Sequence, residues 1–290
     1  MTAPTAPDDI TSAAVSSFAA APDARLRFVM ERLVHHLHGF VVETRPSMEE
    51  WAAGIDFLTS TGQMCTPARQ EFILLSDTLG VSMLVDLLSH SRSAGATEST
   101  VLGPFYVPES PGRPMGSSIM EQPGSGEPAL VSGTVRNPEG GPIAGAVLDV
   151  WQNAVNGKYA VQDELQPADN LRGRFETGAD GRFWFWSVRP TPYQIPGDGP
   201  VGRMLAATGR HAWRPAHLHV IVSAPGYHEV TTHLFDDESP YLDSDTVFAV
   251  KPSLLCHFDR HEPGEQGAPA GSSGPWYTVR RDVVLQPLRP

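Results

Sequence analysis

A chain of 290 residues with 40% apolar content is long enough to bury two modest cores rather than stay disordered. Its formal net charge of −12 offers a nucleic acid no basic stripe and an anionic membrane surface no attraction. Two cysteines, Cys65 and Cys256, stand far apart and outside any C-x-x-C pair, which argues against a disulfide scaffold or a thiolate zinc site.

The N-terminus shows no basic and apolar leader, and no apolar run approaches the about 20 residues of a membrane span, so a soluble, cytoplasmic protein is expected. Residues 1–22, mostly Ala, Pro, Ser and Thr, read as a flexible arm. Residues 23–105 then read as helical. From Asp23 to about Val42, Leu26, Val29, Leu33, Val34 and Leu37 recur at three-and-four spacing, which predicts an amphipathic helix. Ser47 followed by Glu50 forms a capping-box signature ahead of Trp51, Ile55 and Leu58 on one face. Thr66-Pro67 marks another helix start. Phe72 to Leu79 then stops at Gly80, and Val81 to Leu88 resumes the pattern.

Between 93 and 130 the chain is dense in Gly, Pro and Ser, with one compact island, Val101 to Val107. An ordered connection is expected there, because Phe105 and Tyr106 would otherwise be stranded in water. From Leu130 onward short runs rich in β-branched and aromatic residues alternate with turn chemistry. The runs are 131–135, 146–151, 182–188, 216–222, 230–235 and 277–285, separated by Asn137-Pro138, Gly140-Gly141, Asp180-Gly181 and Pro225-Gly226. Residues 263–275 read as a loop, and no internal repeat is present. The fold class expected is mainly β with a helical N-terminal part: an antiparallel β-sandwich over 106–290 behind a helical segment over 23–105.

In Trp213 to Val222, strand alternation puts Leu218, Val220 and Val222 on one face and His217 with His219 on the other. Such a pair suits either a single metal ion or a hydrogen-bonded polar surface, and spacing alone leaves both open. Tyr159 follows a strand and an Asn/Gly turn, whereas Tyr193 lies in a loop stiffened by Pro192 and Pro196. Either phenol is compatible with an amphipathic rim position as well as with chemistry. His35, His36 and His38 fall on the solvated side of a helix, and Met83 on a core side. Asp236-Asp237-Glu238, Asp243 and Asp245 lack the spacing of a calcium loop and read as turn-forming acids.

Taken together, Asp149-Val-Trp-Gln with Gly157-Lys-Tyr159, Arg189-Pro-Thr-Pro-Tyr-Gln-Ile-Pro-Gly-Asp-Gly-Pro-Val201, and Arg214-Pro-Ala-His-Leu-His219 resemble the intradiol ring-cleavage dioxygenases in order and spacing. There are 34 positions from Tyr159 to Tyr193 and 24 from Tyr193 to His217. Leu102-Gly-Pro-Phe105 is similar to the family's connection ahead of the sandwich, and the resemblance extends over roughly residues 25 to 285. Residues 71–80, 232–236 and 241–248 resemble the hydroxyquinol branch most. His233 is part of that reading, since catechol enzymes more commonly carry Gln at its position.

The resemblance implies a non-haem Fe(III) ion held by Tyr159, Tyr193, His217 and His219, a donor set suited to a hard trivalent cation. It implies an aromatic diol or triol chelated as a dianion, with Tyr193 both ligand and base, and O2 adding to the ring to give a muconate-type diacid. For hydroxyquinol the product is 3-hydroxy-cis,cis-muconate or its tautomer maleylacetate; for catechol, the alternative, it is cis,cis-muconate. Arg214 is placed to steady negative charge, and Leu74, Asp77, Val101, Gly103, Pro104, Phe105, Ile195, Pro196 and Val247 form the pocket walls. Asp77 suits either a third hydroxyl of the ring or a polar turn of a surface helix. The N-terminal helices are implied to form a homodimer contact able to enclose a lipid. Two rivals stay distinct: a β-sandwich binding module, which has no need of the Tyr/Tyr/His/His set, and a zinc hydrolase using His217 and His219.

Overall fold

The computed structural model describes residues 6–66, 69–90, 95–122, 126–269 and 273–288. Its contacts divide the chain into two units, Met1–Ser60 and Thr61–Pro290.

The first unit is helical. Residues expected to form a flexible arm instead form α1 (Pro7–Ser16), with proline in its first turn and Asp8 and Asp9 at the positive end of its dipole. The first five residues of that arm lie outside the described residues. Helix α2 (Ala24–Thr44) starts where Asp23 accepts hydrogen bonds from the Arg25 and Leu26 amides. The side chains of Thr11 on α1 and His38 on α2 hydrogen bond at 2.9 Å. Helix α3 (Met48–Gln63) opens on the predicted capping box: Ser47 N–H donates to Glu50 Oε2 at 2.8 Å, and Glu50 N–H to Ser47 Oγ at 3.2 Å. His35 and His36 are exposed, as expected for the solvated side.

In the second unit, Thr66 does not start a helix. It pairs with Arg69, whose amide donates to Thr66 Oγ1, and this closed turn delays α4 to Glu71–Thr78. Pro67 of that predicted start lies outside the described residues. Gly80, at φ +74°, breaks the chain before α5 (Val81–Ser89), a conformation that L side chains adopt only at a cost. Met83 is buried on α5. Among the described residues no single helix is long and apolar enough to cross a membrane.

The strands are β1 (Pro128–Arg136), β2 (Val147–Trp151), β3 (Arg172–Glu176), β4 (Arg182–Val188), β5 (Tyr193–Gln194), β6 (Trp213–Arg214), β7 (His217–Ser223), β8 (Val230–Asp236), β9 (Leu255–Cys256), β10 (Asp259–His261), β11 (Trp276–Arg280) and β12 (Val283–Val284), with α6 (Pro200–Ala207) between β5 and β6. One sheet runs β3-β2-β7-β8-β9; the other runs β10-β11-β1-β12, with β4 also on β1; β5 and β6 form a two-stranded ribbon.

The expectation of strictly antiparallel sheets is corrected. Strand β1 pairs antiparallel with β4 but parallel with β11 and β12, and β8 with β9 is parallel. A parallel partner needs a long crossover, and the chain completes the other sheet before its C-terminal segment returns to β1. The single strand predicted over 277–285 is split into β11 and β12, with the Arg281 amide between them donating to Ser132 O. Strand β3 was not predicted because Phe175 is the sole large apolar residue in Arg172-Gly-Arg-Phe-Glu176. Inward side chains of both sheets make the core, among them Val131, Phe183 and Phe185 from one, and Leu148, Phe175, Leu218, Val220 and Val222 from the other.

Candidate metal centre

Three chain segments carry the four predicted donors. Tyr159 ends a turn that follows β2: Gly157 takes φ +81°, Asn156 Oδ1 accepts the Lys158 amide, and Gln162 Oε1 accepts the amide of Tyr159 itself. Tyr193 sits on β5, directly opposite Arg214 on β6. The two tyrosine segments are joined by the Asn153 amide, which donates to Thr191 O at 3.2 Å and Thr191 Oγ1 at 3.1 Å. His217 and His219 share one face of β7, as alternation predicted, while Leu218, Val220 and Val222 enter the core.

All four side chains are at most 3% exposed. Tyr159 Oη lies 3.3 Å from Tyr193 Oη and 3.0 Å from His219 Nε2, and His219 Nε2 lies 3.2 Å from His217 Nε2. Donors about 2.0 Å from a common ion would stand roughly 2.8–3.3 Å apart, so these separations have the size of a coordination shell. The protonation states agree. Burial lowers both imidazoles well below the ordinary histidine range, so each keeps a neutral ring with a lone pair. Burial, with Tyr193 alongside, pushes the Tyr159 phenol well above its ordinary value, so a strong cation is what would render it anionic.

Ring orientation is set by neighbours. His217 Nδ1 lies 2.7 Å from the Pro215 carbonyl, which can only accept, so Nδ1 carries the proton and Nε2 faces the other donors. His219 is held from both sides by register: β2 puts Trp151 opposite it and β8 puts His233 opposite it. The indole of Trp151 stacks on the His219 ring at 4.6 Å and 14°. His219 Nδ1 meets His233 Nε2 at 2.7 Å, and His233 Nδ1 meets Thr100 Oγ1 at 2.9 Å. This chain lets His219 Nδ1–H donate to His233, keeping Nε2 free for an ion. The three nearby histidines, 217, 219 and 233, offer nitrogens within 4.8 Å of one another. His233 is nonetheless an orienting group, because its nearer nitrogen is spent on His219 at the side away from Tyr159.

Arg214 is 2% exposed. Burial opposes its charge, but Asp245 and the tyrosines outweigh that and hold its pKa above the ordinary value. Asp245, read as a turn former, accepts the Val247 and Ala249 amides of its own turn and is in addition buried in a two-pronged pair with Arg214. Asp236 likewise is buried and paired with Arg189 at 2.7 Å, whereas Asp243 is exposed. Thr100 escaped sequence reasoning, and the contacts of Trp151 with His219 and of Asp245 with Arg214 were not read from their local context, since each joins segments far apart in the chain.

The predicted wall residues are distributed as follows. Phe105 stacks on Tyr159 at 4.9 Å. Gly103 has φ +80°, and a Cβ there would come within 3.3 Å of His219 Cε1, so the chain passes this closely only because it is glycine. Val101 and Val247 belong to one buried cluster. Leu74 and Ile195 are buried, and Pro104 and Pro196 half-buried. Asp77 is 2% exposed, not on a solvated turn, and burial raises its carboxyl to about 6.

That raised value has a sign for stability. A carboxyl whose folded pKa exceeds its unfolded value contributes fully below about pH 4, and the contribution is lost as pH rises through about 6. Asp77→Asn is therefore expected to gain on the wild type by roughly 2 kcal/mol between pH 4 and 7. Denaturant titrations at both pH values check this, and an unchanged difference would refute it.

Comparison with known proteins bears on family and fold. The family described as a dioxygenase matches residues 101–287, and that described as a catechol dioxygenase N terminus matches residues 23–97. The chain belongs to the intradiol ring-cleavage dioxygenases. It is 50% identical over 265 residues to a hydroxyquinol 1,2-dioxygenase of Rhizobium sp. (strain MTP-10005), covering 91% of this chain and 90% of that one. The crystal structure of hydroxyquinol 1,2-dioxygenase from Pseudomonas putida DLL-E4 superposes with a TM-score of 0.88 at 48% identity, covering 97% of this chain and 99% of that one. Catechol 1,2-dioxygenase from Pseudomonas arvilla C-1 gives a TM-score of 0.84 at 26% identity, covering 97% and 93%.

Proposed function

We propose that this chain is a non-haem iron(III) enzyme that cleaves hydroxyquinol (1,2,4-trihydroxybenzene) with O2 between its adjacent hydroxyls, giving 3-hydroxy-cis,cis-muconate and its tautomer maleylacetate. The observation that carries the reading is the convergence of two phenols and two neutral imidazoles at 3.0–3.3 Å in a buried site. Tyr159, Tyr193, His217 and His219 hold the ion, a donor set that suits a hard trivalent cation better than zinc. Bound there, the ion supplies a Lewis-acid centre for two adjacent ring hydroxyls. The similarity to the Rhizobium hydroxyquinol enzyme favours the trihydroxylated ring over catechol.

The chain's own residues divide the remaining work. Tyr193 Oη accepts a proton from a ring hydroxyl, and Arg214 Nη1, 3.4 Å away, stabilises the negative charge that results. Asp77 accepts a hydrogen bond from the third hydroxyl. Leu74, Val101, Gly103, Pro104, Phe105, Ile195, Pro196 and Val247 wall the ring and exclude water.

Residues 23–105 serve as a helical dimerisation segment and 106–290 as the catalytic domain, α4 lending Leu74 and Asp77 to the site. The exposed Leu26, Phe28, Leu37, Phe40, Trp51 and Ile55 support pairing with a second copy, and sedimentation of the iron-loaded protein as one copy would overturn it. A groove of about 660 Å³ lined by Ile10, Val41, Val42 and Trp51 has the character for a lipid chain, and lipid-free protein from a native extract would remove that assignment. Two free thiols, Cys65 and Cys256, fit a reducing, cytoplasmic setting, which fractionation checks.

The deciding experiment is the visible spectrum of iron-loaded protein before and after adding hydroxyquinol or catechol without oxygen. A broad phenolate-to-iron band that moves to longer wavelength on addition is expected, with the larger response to hydroxyquinol. A larger response to catechol would transfer the assignment to catechol, and a colourless protein after reconstitution would remove the iron.

A further inference from the structure

Arg214 reaches the candidate site with only one of its nitrogens free to face it. Its Nε donates to Asp245 Oδ1 at 3.1 Å and its Nη2 to Asp245 Oδ2 at 3.4 Å, and both side chains are 2% exposed. The third nitrogen, Nη1, lies 3.4 Å from Tyr193 Oη and 3.2 Å from His217 Nε2. The carboxylate is itself immobilised, because Oδ1 accepts the Val247 amide at 3.3 Å and Oδ2 the Ala249 amide at 3.0 Å.

We infer that Asp245 is a positioning residue for ring cleavage: it fixes which nitrogen of Arg214 meets the substrate and ties that aim to the loop carrying Val247. The inference rests on the proposed reading of Arg214 as the group that faces the reacting ring. Three physical arguments carry it. A planar guanidinium gripped along its Nε–Nη2 edge cannot rotate about its last bonds, so Nη1 has a single direction. A buried cation without a counter-ion is strongly unfavourable, and among the described residues Asp245 is the carboxylate bonded to this one. The same carboxylate organises Val247 and Ala249, so the pocket wall and the charge facing the site share one anchor. Asp77 lies within electrostatic reach of both groups without bonding to either, so it does not substitute for the grip.

The test is a double-mutant cycle of Asp245→Asn, Arg214→Met and the pair, each iron-loaded and each also melted without iron. Asp245→Asn is expected to keep iron and its phenolate band, to lower kcat about 10- to 100-fold, and to weaken the spectral response to anaerobic hydroxyquinol. In the Arg214→Met background the same change is expected to alter kcat less than about 3-fold, because the group it acts through is gone. The double variant, which has neither buried charge, is expected to melt above both single variants. Equal loss of kcat in both backgrounds, or normal kcat in Asp245→Asn, overturns the inference. If either single variant fails to fold, the double variant decides: a folded double variant with a cooperative melt supports the clamp, and a double variant that also fails to fold overturns it. Iron content and colour of the four proteins test the ligand reading separately, since none of these changes removes a proposed donor.

Discussion

Protein carrying Tyr159→Phe or His219→Ala is expected to emerge from iron reconstitution colourless and without ring-cleaving activity, with its fold intact. The two changes attack neighbouring corners of the same cluster, since the phenol oxygen and the imidazole nitrogen stand 3.0 Å apart. Removing a partner that only orients a ligand already costs about 10–100-fold in metal affinity, so removing a donor itself costs more. Tyr159→Phe deletes one oxygen and leaves the ring to stack on Phe105, which makes it the cleaner of the two. His219→Ala also empties the slot between Trp151 and His233 and leaves the His233 nitrogen without its partner, so some loss of stability accompanies it. Iron content by elemental analysis and the visible spectrum read the result. Full occupancy in both variants would remove these residues from the ligand set.

The largest effect on stability is expected at Gly133, in the middle of β1. An added Cβ there would overlap the carbonyl oxygen of Arg281, stand 2.7 Å from that carbonyl carbon, and stand 2.8 Å from Phe183 Cζ. The obstruction is backbone, and it is the segment between β11 and β12 that pairs with β1 through the Arg281 amide and Ser132. A backbone so placed cannot move aside without breaking the parallel pairing that closes the sheet. Gly133→Ala is expected to cost about 3 kcal/mol, lowering Tm by roughly 6 °C. Gly54→Ala is the control: it lies on α3 with nothing within 4 Å of the added carbon, so an unchanged or slightly raised Tm is expected. Equal falls in both variants would show that backbone overlap is not the cause.

These two sites bear differently on what was legible in the sequence. The His217 and His219 pair was readable because strand alternation is a two-residue rule, and the apolar Leu218, Val220 and Val222 declare which face is core. The stiffness of the Tyr193 segment was readable from its prolines. The start of α2 at Asp23 and the Ser47–Glu50 box were readable because a cap is satisfied within three residues. The arm misled, because a helix of ten residues at the N-terminus draws its stability from packing on α2, which composition does not express. The parallel strands misled for a related reason: β11 and β12 carry ordinary strand patterns, and nothing in them names β1 as partner.

Sequence by itself thus determined the longer helices and most of the longer strands, the faces of β7 and the four candidate donors, each set by rules that operate over a few residues and, for the donor set, by resemblance. Tertiary structure alone decided how those donors are held. Thr100 and His233 stand 133 residues apart, and Asp245 stands 31 residues from Arg214. Trp151 meets His219 because β2 and β7 pair in one register and no other. A one-residue slip of that register would turn every side chain to the opposite face, so the surroundings of the site are a property of strand pairing and packing, which local spacing does not encode.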